Sequence, residues 1–176
     1  GVFTDKSLLH YRFVPLLAAA FPRARFIEVT RDPVELGFGC YKQLFSHGQA
    51  FSYDLDGCAH ALAGFNEMVS HWRHEYPELH RLSVVYENLI EDQEGQTRAL
   101  LDFCGLEWED ACLEFHKNRR AVATASQNQV RQGLTRAGVG RVERYGSRLD
   151  PLRAALAREG VIRTTEPVES GVAGHS

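Results

Sequence analysis

An arginine that directly follows a short apolar run is the residue of this chain best suited to bind an anion. Residues 26–30 are typical of a buried strand, and Arg31 comes next. Asp32 is placed to cap a helix, with Pro33 as its first residue and Glu35 in its first turn. Ligands of open α/β sheets lie beyond the carboxyl ends of strands, beside helix N-termini that favour anions. The planar guanidinium of Arg31 would suit a phosphate there, and a local ion pair with Asp32 or Glu35 is the alternative.

Charge is distributed unevenly along the second half of the chain. The 176 residues carry a net charge of −3, with 44% hydrophobic and 24% charged residues, which is typical of a globular domain. Acidic residues dominate 87–114, where Arg98 is the one opposing base, and basic residues dominate 117–148, where Glu143 is the one opposing acid. A basic segment with few local partners indicates an anionic ligand, unless the two blocks neutralise each other across the fold.

The composition of the basic segment favours a small phosphorylated ligand over a nucleic acid. Its one aromatic residue is Tyr145, and it matches no zinc-finger or RNA-binding signature. Glycines, hydroxyls and amides accompany the arginines, which is typical of a loop that closes over a small molecule. The four cysteines show no metal-ligand spacing, so we expect no bound metal. Reduced thiols and the lack of a long apolar run favour a cytoplasmic protein with no membrane contact.

The order of the predicted elements indicates an α/β fold. Helices are expected over 6–20, 32–45, 54–76, 93–103, 108–116 and 150–158, and strands over 26–30 and 82–86. The strand–helix–strand order predicts parallel strands that are adjacent or separated by one further strand. Two strands make a sheet too small to stand alone, and no G-x-x-x-x-G-K-[ST] or Pro-x-Ser-Gly-Thr phosphate loop occurs. We assign residues 1–163 to one α/β domain and residues 164–176 to a disordered tail.

Nine short motifs follow one another along the chain. They are Thr4-Asp5-Lys6, Phe26-x-x-x-x-Arg31-Asp32-Pro33, Cys40-Tyr41-x-Gln43, Phe51-Ser52-Tyr53-Asp54-Leu55, His71-Trp72-Arg73, Val85-Tyr86-Glu87-Asn88-Leu89, Leu101-x-Phe103-Cys104-Gly105-Leu106-x-Trp108, Thr124-Ala125-Ser126-x-x-Gln129-Val130-Arg131 and Val139-Gly140-Arg141. In this order they resemble the motifs of PAPS-dependent sulfotransferases. The most similar branch is the bacterial one fused to tetratricopeptide repeats, which is related to tyrosylprotein sulfotransferases. The resemblance implies a P-loop-like fold in which a parallel sheet flanked by helices binds 3′-phosphoadenosine 5′-phosphosulfate (PAPS). It also implies transfer of the sulfuryl group to a hydroxyl or amine, including that of a protein tyrosine.

The resemblance further implies roles for individual residues. Arg31 matches the arginine that binds the 3′-phosphate, and Tyr86 matches a tyrosine near the adenine. Lys6 and Ser126 match catalytic residues of the family. The resemblance implies that the lysine stabilises charge on the bridging oxygen and that the serine lies near the reacting sulfate. Gly39 stands where the family has a serine that contacts the nucleotide. The residues expected in the loop that covers the nucleotide are Arg131, Arg136, Gly140 and Arg141.

Departures from the family pattern bear on activity. Gly39 lacks the serine hydroxyl, and Val142 replaces the usual tryptophan after Val-Gly-Arg. The Pro-x-Ser-Gly-Thr loop and the glutamate that follows it do not occur, so we expect either a fragment that lacks its N-terminal phosphate loop or a natural partial copy. One alternative to an active enzyme is a non-catalytic remnant that binds a nucleotide or a protein, and another is a different P-loop nucleotide-dependent transferase. The expected partners are the nucleotide, an unknown acceptor and an upstream tetratricopeptide-repeat segment, with no nucleic acid.

Overall fold

In the described part of the chain, two short strands form a sheet and lie side by side in parallel. The computed structural model describes residues 2–7, 9–43, 45, 48–117, 133–134, 136 and 139–163. Strand β1 is Phe26–Thr30 and strand β2 is Arg81–Val85. Phe26 pairs with Arg81 at one end of the ladder, and Thr30 pairs with Val85 at the other. The α/β class and the adjacent parallel strands predicted from the sequence are therefore confirmed.

Helices flank this sheet in the described part of the chain. They are α1 (Val14–Ala20), α2 (Pro33–Lys42), α3 (Leu55–Glu75), α4 (Tyr86–Glu91), α5 (Gln93–Cys104) and α6 (Asp150–Arg158). Short 3-10 segments cover His10–Arg12, Ala50–Tyr53, Asp110–Cys112, Phe115–Lys117 and Arg141–Leu149. The predicted cap of α2 is present, because Asp32 Oδ1 accepts a hydrogen bond from the backbone N–H of Glu35 at 2.8 Å. Helices α3, α5 and α6 agree with their predicted ranges to within a residue.

The helix predicted over 6–20 is wrong in its first half. Pro15 has no N–H to donate to a carbonyl four residues earlier, so it fits only in the first turn of a helix. Helix α1 accordingly starts at Val14, and one 3-10 turn precedes it. Lys6 consequently lies in a segment without regular secondary structure, and its side chain is exposed.

The helix predicted over 108–116 is also wrong, because two separate 3-10 turns take its place. Glu109 has an extended backbone, which interrupts any continuous helix at the start of this segment. Asp110 and Glu114 would also stand four residues apart on a helix, where like charges repel each other. The local charge pattern therefore works against the helical spacing of the apolar residues.

Two boundaries differ from the prediction by a few residues. Strand β2 ends at Val85 because its partner Thr30 is the last residue of β1, and Tyr86 begins α4 instead of ending the strand. Helix α2 ends at Lys42, after which the backbone becomes extended. Most of the predicted arginine-rich loop (118–132) and the predicted tail (164–176) lie outside the described residues.

The main apolar core lies between α2, α3 and α6. Its buried members are Val34, Phe38, Ala59, Leu149, Leu152, Ala155 and Leu156. Helices α2 and α6 approach closely at Gly37, where an added Cβ would lie 3.2 Å from Leu152 Cδ1. This packing holds the segment that precedes α6, Arg141–Leu149, against α2.

Candidate functional site

The ends of the two strands bring Arg31 and Tyr86 together. Arg31 follows the last residue of β1 and Tyr86 follows the last residue of β2, and these last residues pair with each other. The guanidinium carbon of Arg31 lies over the Tyr86 ring, 4.5 Å from its centroid. A cation over an aromatic face is attracted by the ring, so Tyr86 restricts where the guanidinium can lie.

A buried carboxylate, Glu35, joins Arg31 to a distant part of the chain. The side chain of Glu35 is 3% exposed, and its Oε2 lies 3.4 Å from Arg31 Nη2 and 3.6 Å from Arg141 Nε. Its Oε1 accepts a hydrogen bond from the backbone N–H of Val142 at 3.1 Å. The ion pair between Arg31 and Glu35, one of the alternatives left open by the sequence, is therefore present, and a second arginine shares the carboxylate.

Two arginines share this one buried carboxylate. The guanidinium groups of Arg31 and Arg141 both face the carboxylate of Glu35. Both arginine side chains also reach solvent, with exposed fractions of 21% for Arg31 and 28% for Arg141. A partly exposed pair of guanidinium groups is suited to a phosphate or sulfate.

The N-terminus of α2 offers fewer anion donors than the sequence suggests. The backbone N–H of Glu35 donates to Asp32 Oδ1, and the backbone N–H of Asp32 donates to Glu87 Oε1 at 3.1 Å. Carboxylates of the protein thus occupy donors that an anion would otherwise use. An anion at this edge would depend mainly on the guanidinium groups.

Gly140 turns the chain so that Arg141 points back toward α2. Its φ of 71° lies in the left-handed region, which glycine adopts at little cost. Gly140 immediately precedes the 3-10 segment Arg141–Leu149, and Val142 of that segment packs against the main core. The structure therefore gives Gly140 and Val142 roles in positioning Arg141.

Among the described residues, the other predicted site residues do not contact the Glu35 carboxylate. Lys6 and Arg136 are exposed. Gly39 lies one helical turn beyond Glu35, and a Cβ added to it would have no neighbour within 4 Å. Ser126 and Arg131 lie outside the described residues, so their predicted roles stay predictions.

Sequence reasoning missed two features of this site. Glu87 links the end of β2 to the N-terminus of α2, because its Oε1 accepts a hydrogen bond from the Asp32 N–H. The position of Glu87 just after the predicted strand was the one sequence feature that pointed to this contact. The contact between Glu35 and Arg141 had no local signal, because Glu35 and the bonded Val142 are 107 residues apart. Only the spacing of Glu35 four residues after Arg31 was visible in the sequence.

Two buried or partly buried thiols are poor candidates for nucleophiles. Burial raises the pKa of Cys40 above its usual value. Burial, followed by smaller contributions from Cys40 and Asp54, raises the pKa of Cys58 from 9.0 to about 11. Both thiols therefore stay protonated at neutral pH, and the thiolate is the reactive form.

The described ranges contain neither a metal-ligand cluster nor a membrane-spanning helix. The histidine, cysteine and acidic side chains there form no group of three or more that could hold a metal ion. Among the helices described above, none combines the length and apolar character that crossing a bilayer requires.

Comparison with known proteins assigns this sequence to a family. The sequence profile of the sulfotransferase family matches residues 1–110, which include both strand ends and Glu35. The chain belongs to the sulfotransferase family. A protein of Aquifex aeolicus (strain VF5), named only as an uncharacterized protein, is 35% identical over 167 residues. The match covers 93% of this chain but 22% of that relative, so this sulfotransferase-family chain spans a small part of the relative's length.

Proposed function

We propose that this chain binds PAPS and takes part in transfer of its sulfuryl group to a hydroxyl or amine. The observation that carries the proposal is the arginine pair of Arg31 and Arg141 at the carboxyl edge of the sheet, where α/β proteins bind nucleotides. Membership of the sulfotransferase family supports sulfuryl transfer as the reaction class. In this proposal the 3′-phosphate of the nucleotide is bound by Arg31 and Arg141.

Tyr86 is proposed to lie beside the adenine. Its ring already contacts Arg31 on one side, so a base placed against the remaining ring surface would lie near the phosphate ligand. The same residue would then align the base and the 3′-phosphate. Arg131, Arg136 and Gly140 are proposed to complete the nucleotide site, by the family resemblance alone.

Sulfuryl transfer breaks the bond between the sulfur and the bridging oxygen of the donor, forms a bond to the acceptor oxygen or nitrogen, and releases 3′-phosphoadenosine 5′-phosphate and the proton of the acceptor. Negative charge develops on the bridging oxygen as the bond breaks, and a nearby cation or hydrogen-bond donor stabilises it. Lys6 is proposed as the cation and Ser126 as a hydroxyl near the sulfate. The exposed position of Lys6 allows it to reach a ligand from solvent.

The identity of the acceptor is part of the proposal. The resemblance to the branch fused to tetratricopeptide repeats, and through it to tyrosylprotein sulfotransferases, supports a protein tyrosine as the first acceptor to test. The same resemblance supports a tetratricopeptide-repeat segment in the full protein as a partner region.

Calorimetry with two nucleotides tests the proposal. We expect 3′-phosphoadenosine 5′-phosphate to bind more tightly than 5′-AMP, because only the first carries the phosphate assigned to the arginines. A charge-assisted hydrogen bond contributes on the order of 1.5–3 kcal/mol. Arg31→Ala is expected to remove most of this preference. Equal affinities for the two nucleotides, or an unchanged preference in Arg31→Ala, would refute the assignment.

A further inference from the structure

We propose that Glu35 is the positioning residue of this anion site, and that it sets Arg31 and Arg141 to bind one phosphate together. The inference rests on the proposed function, because it concerns the same nucleotide site. Glu35 does not contact the ligand in this proposal. It acts through the two arginines that its Oε2 approaches, at 3.4 Å for Arg31 and 3.6 Å for Arg141.

The burial of Glu35 is the first argument for this role. A carboxylate that is 3% exposed needs compensating charge and hydrogen bonds, since burying an unpaired charge is costly. The two arginines and the N–H of Val142 supply them. The carboxylate therefore holds both guanidinium groups in place before a ligand arrives, which lowers the entropic cost of binding.

The geometry at Arg141 is the second argument. Its Nε is buried and makes no hydrogen bond to a described residue, and Glu35 Oε2 at 3.6 Å is beyond normal hydrogen-bond distance. The carboxylate thus orients this guanidinium by charge and not by a hydrogen bond to Nε, and the side chain stays 28% exposed. An anion within reach could accept hydrogen bonds from it.

The path of the chain is the third argument. Arg141 is separated from α2 by more than half of the sequence, and the bond from Val142 N–H to Glu35 Oε1 ties its segment directly to the first turn of α2. Gly140 turns the chain immediately before this point, and the side chain of Val142 packs on the core. Glu35 is therefore the residue through which the fold delivers a second arginine to the strand edge.

The test is a double-mutant cycle with Glu35→Gln, Arg141→Gln and the two combined, measured by calorimetry with 3′-phosphoadenosine 5′-phosphate and with 5′-AMP. Each single variant is expected to weaken binding of the first nucleotide about tenfold or more, the range that a charge-assisted hydrogen bond contributes. The combined variant should be little worse than either single one, because both remove the same contact. Binding of 5′-AMP should change little.

Glu94→Gln is the matched control. Glu94 is also paired with an arginine four residues away, Arg98, but it lies on the exposed surface of α5 with an exposed fraction of 57%. This variant is expected to leave nucleotide binding unchanged. Urea unfolding of every variant separates a loss of binding from a loss of folding, and a purely structural role for Glu35 would give additive losses in the cycle.

The outcomes distinguish this inference from the proposed function. If the wild-type chain binds the two nucleotides equally, the proposed function fails, and titration with inorganic phosphate still compares the variants. If the wild type prefers the 3′-phosphate but Glu35→Gln binds it equally well or more tightly, Glu35 competes with the anion and the inference is overturned. If Glu35→Gln does not fold, Arg141→Gln decides, because unchanged affinity in that partly exposed variant also overturns it.

Discussion

Arg31 and Tyr86 follow different strands, yet the Arg31 guanidinium lies 4.5 Å from the centroid of the Tyr86 ring. The contact follows from the register of the sheet, in which the two strands end at paired residues. It places the proposed ligands of the base and of the 3′-phosphate side by side. The orientation of Arg31 therefore depends on an aromatic ring as well as on Glu35.

Replacing the ring of Tyr86 is expected to weaken binding of the 3′-phosphate. Tyr86→Leu removes the aromatic face beneath Arg31, and a partly exposed cation–π contact contributes about 0.5–1 kcal/mol. Tyr86→Phe keeps the face and serves as the control, so it should bind 3′-phosphoadenosine 5′-phosphate nearly as well as the wild type. Calorimetry measures both, and an equal loss in the two variants would mean that the hydroxyl matters and the ring does not.

Restoring the family serine at residue 39 is expected to strengthen nucleotide binding. A Cβ at Gly39 meets no atom within 4 Å, so Gly39→Ser fits without rearrangement. The added hydroxyl, one turn beyond Glu35, could donate to the phosphate and contribute about 1 kcal/mol. The change should also raise the free energy of unfolding by roughly 0.5 kcal/mol, because serine favours helix more than glycine does.

Gly37→Ser is the control for that substitution in the same helix. Its Cβ would lie 3.2 Å from Leu152 Cδ1, so it should lower the free energy of unfolding by about 1–3 kcal/mol through overpacking. Urea unfolding and calorimetry on both variants make the comparison. Weaker nucleotide binding by Gly39→Ser than by the wild type would contradict the assignment of residue 39.

Sulfuryl transfer by residues 1–176 alone is expected to be close to background. Charge that develops on the sulfate oxygens needs preorganised donors, and the sequence contains no Pro-x-Ser-Gly-Thr segment to provide backbone N–H groups. Transfer of labelled sulfate from PAPS to a tyrosine peptide or a phenol measures this activity. Robust turnover by the wild-type chain that is lost in Lys6→Ala would contradict this prediction, because it would show that transfer does not require the Pro-x-Ser-Gly-Thr loop.

A strand fused upstream of the chain could pair with the outer edge of β1, which is the edge that faces away from β2. Phe26 N–H donates to His80 O on the β2 side, so the backbone groups of Ile27 and Val29 point away from β2. Fusing a strand and a Pro-x-Ser-Gly-Thr loop upstream is expected to raise transfer above background, and the same strand with an alanine-substituted loop is the control.

Raising the pH above 9 is expected to destabilise the fold through Cys58. Its pKa is raised from 9.0 to about 11, mainly by burial, so the folded protein holds the thiol proton more tightly than the unfolded chain does. This contribution to stability is complete below pH 9 and is lost as the pH rises toward 11. Urea unfolding at about pH 8 and about pH 10 measures the change.

Two cysteine variants isolate that effect. Cys58→Ala should show a smaller fall in the free energy of unfolding between the two pH values than the wild type, whatever its stability at the lower pH. Cys104→Ala, at a partly buried position, should keep the wild-type fall. An identical pH dependence in the wild type and Cys58→Ala would remove Cys58 as the cause.

The elements that were predicted correctly depend on local rules. The apolar run of β1, the cap at Asp32 and the helix start at Pro33 each follow from neighbouring residues, and all three are present. The elements that were predicted incorrectly contain residues that oppose helix formation. Pro15 limits the first helix, and Asp110 with Glu114 disfavours a helix where apolar spacing alone suggested one.

The sequence by itself determined that Arg31 stands at the end of a strand, with Glu35 four residues later, because strand pattern and helix spacing are local properties. It could not decide whether Arg31 pairs with the protein or awaits an anion. The tertiary structure decided that Glu35 is buried and shared with Arg141, because the packing of α6 against α2 and α3 brings the segment after Gly140 to this edge. Packing between distant segments depends on the shape and burial of the whole core, which no local pattern encodes.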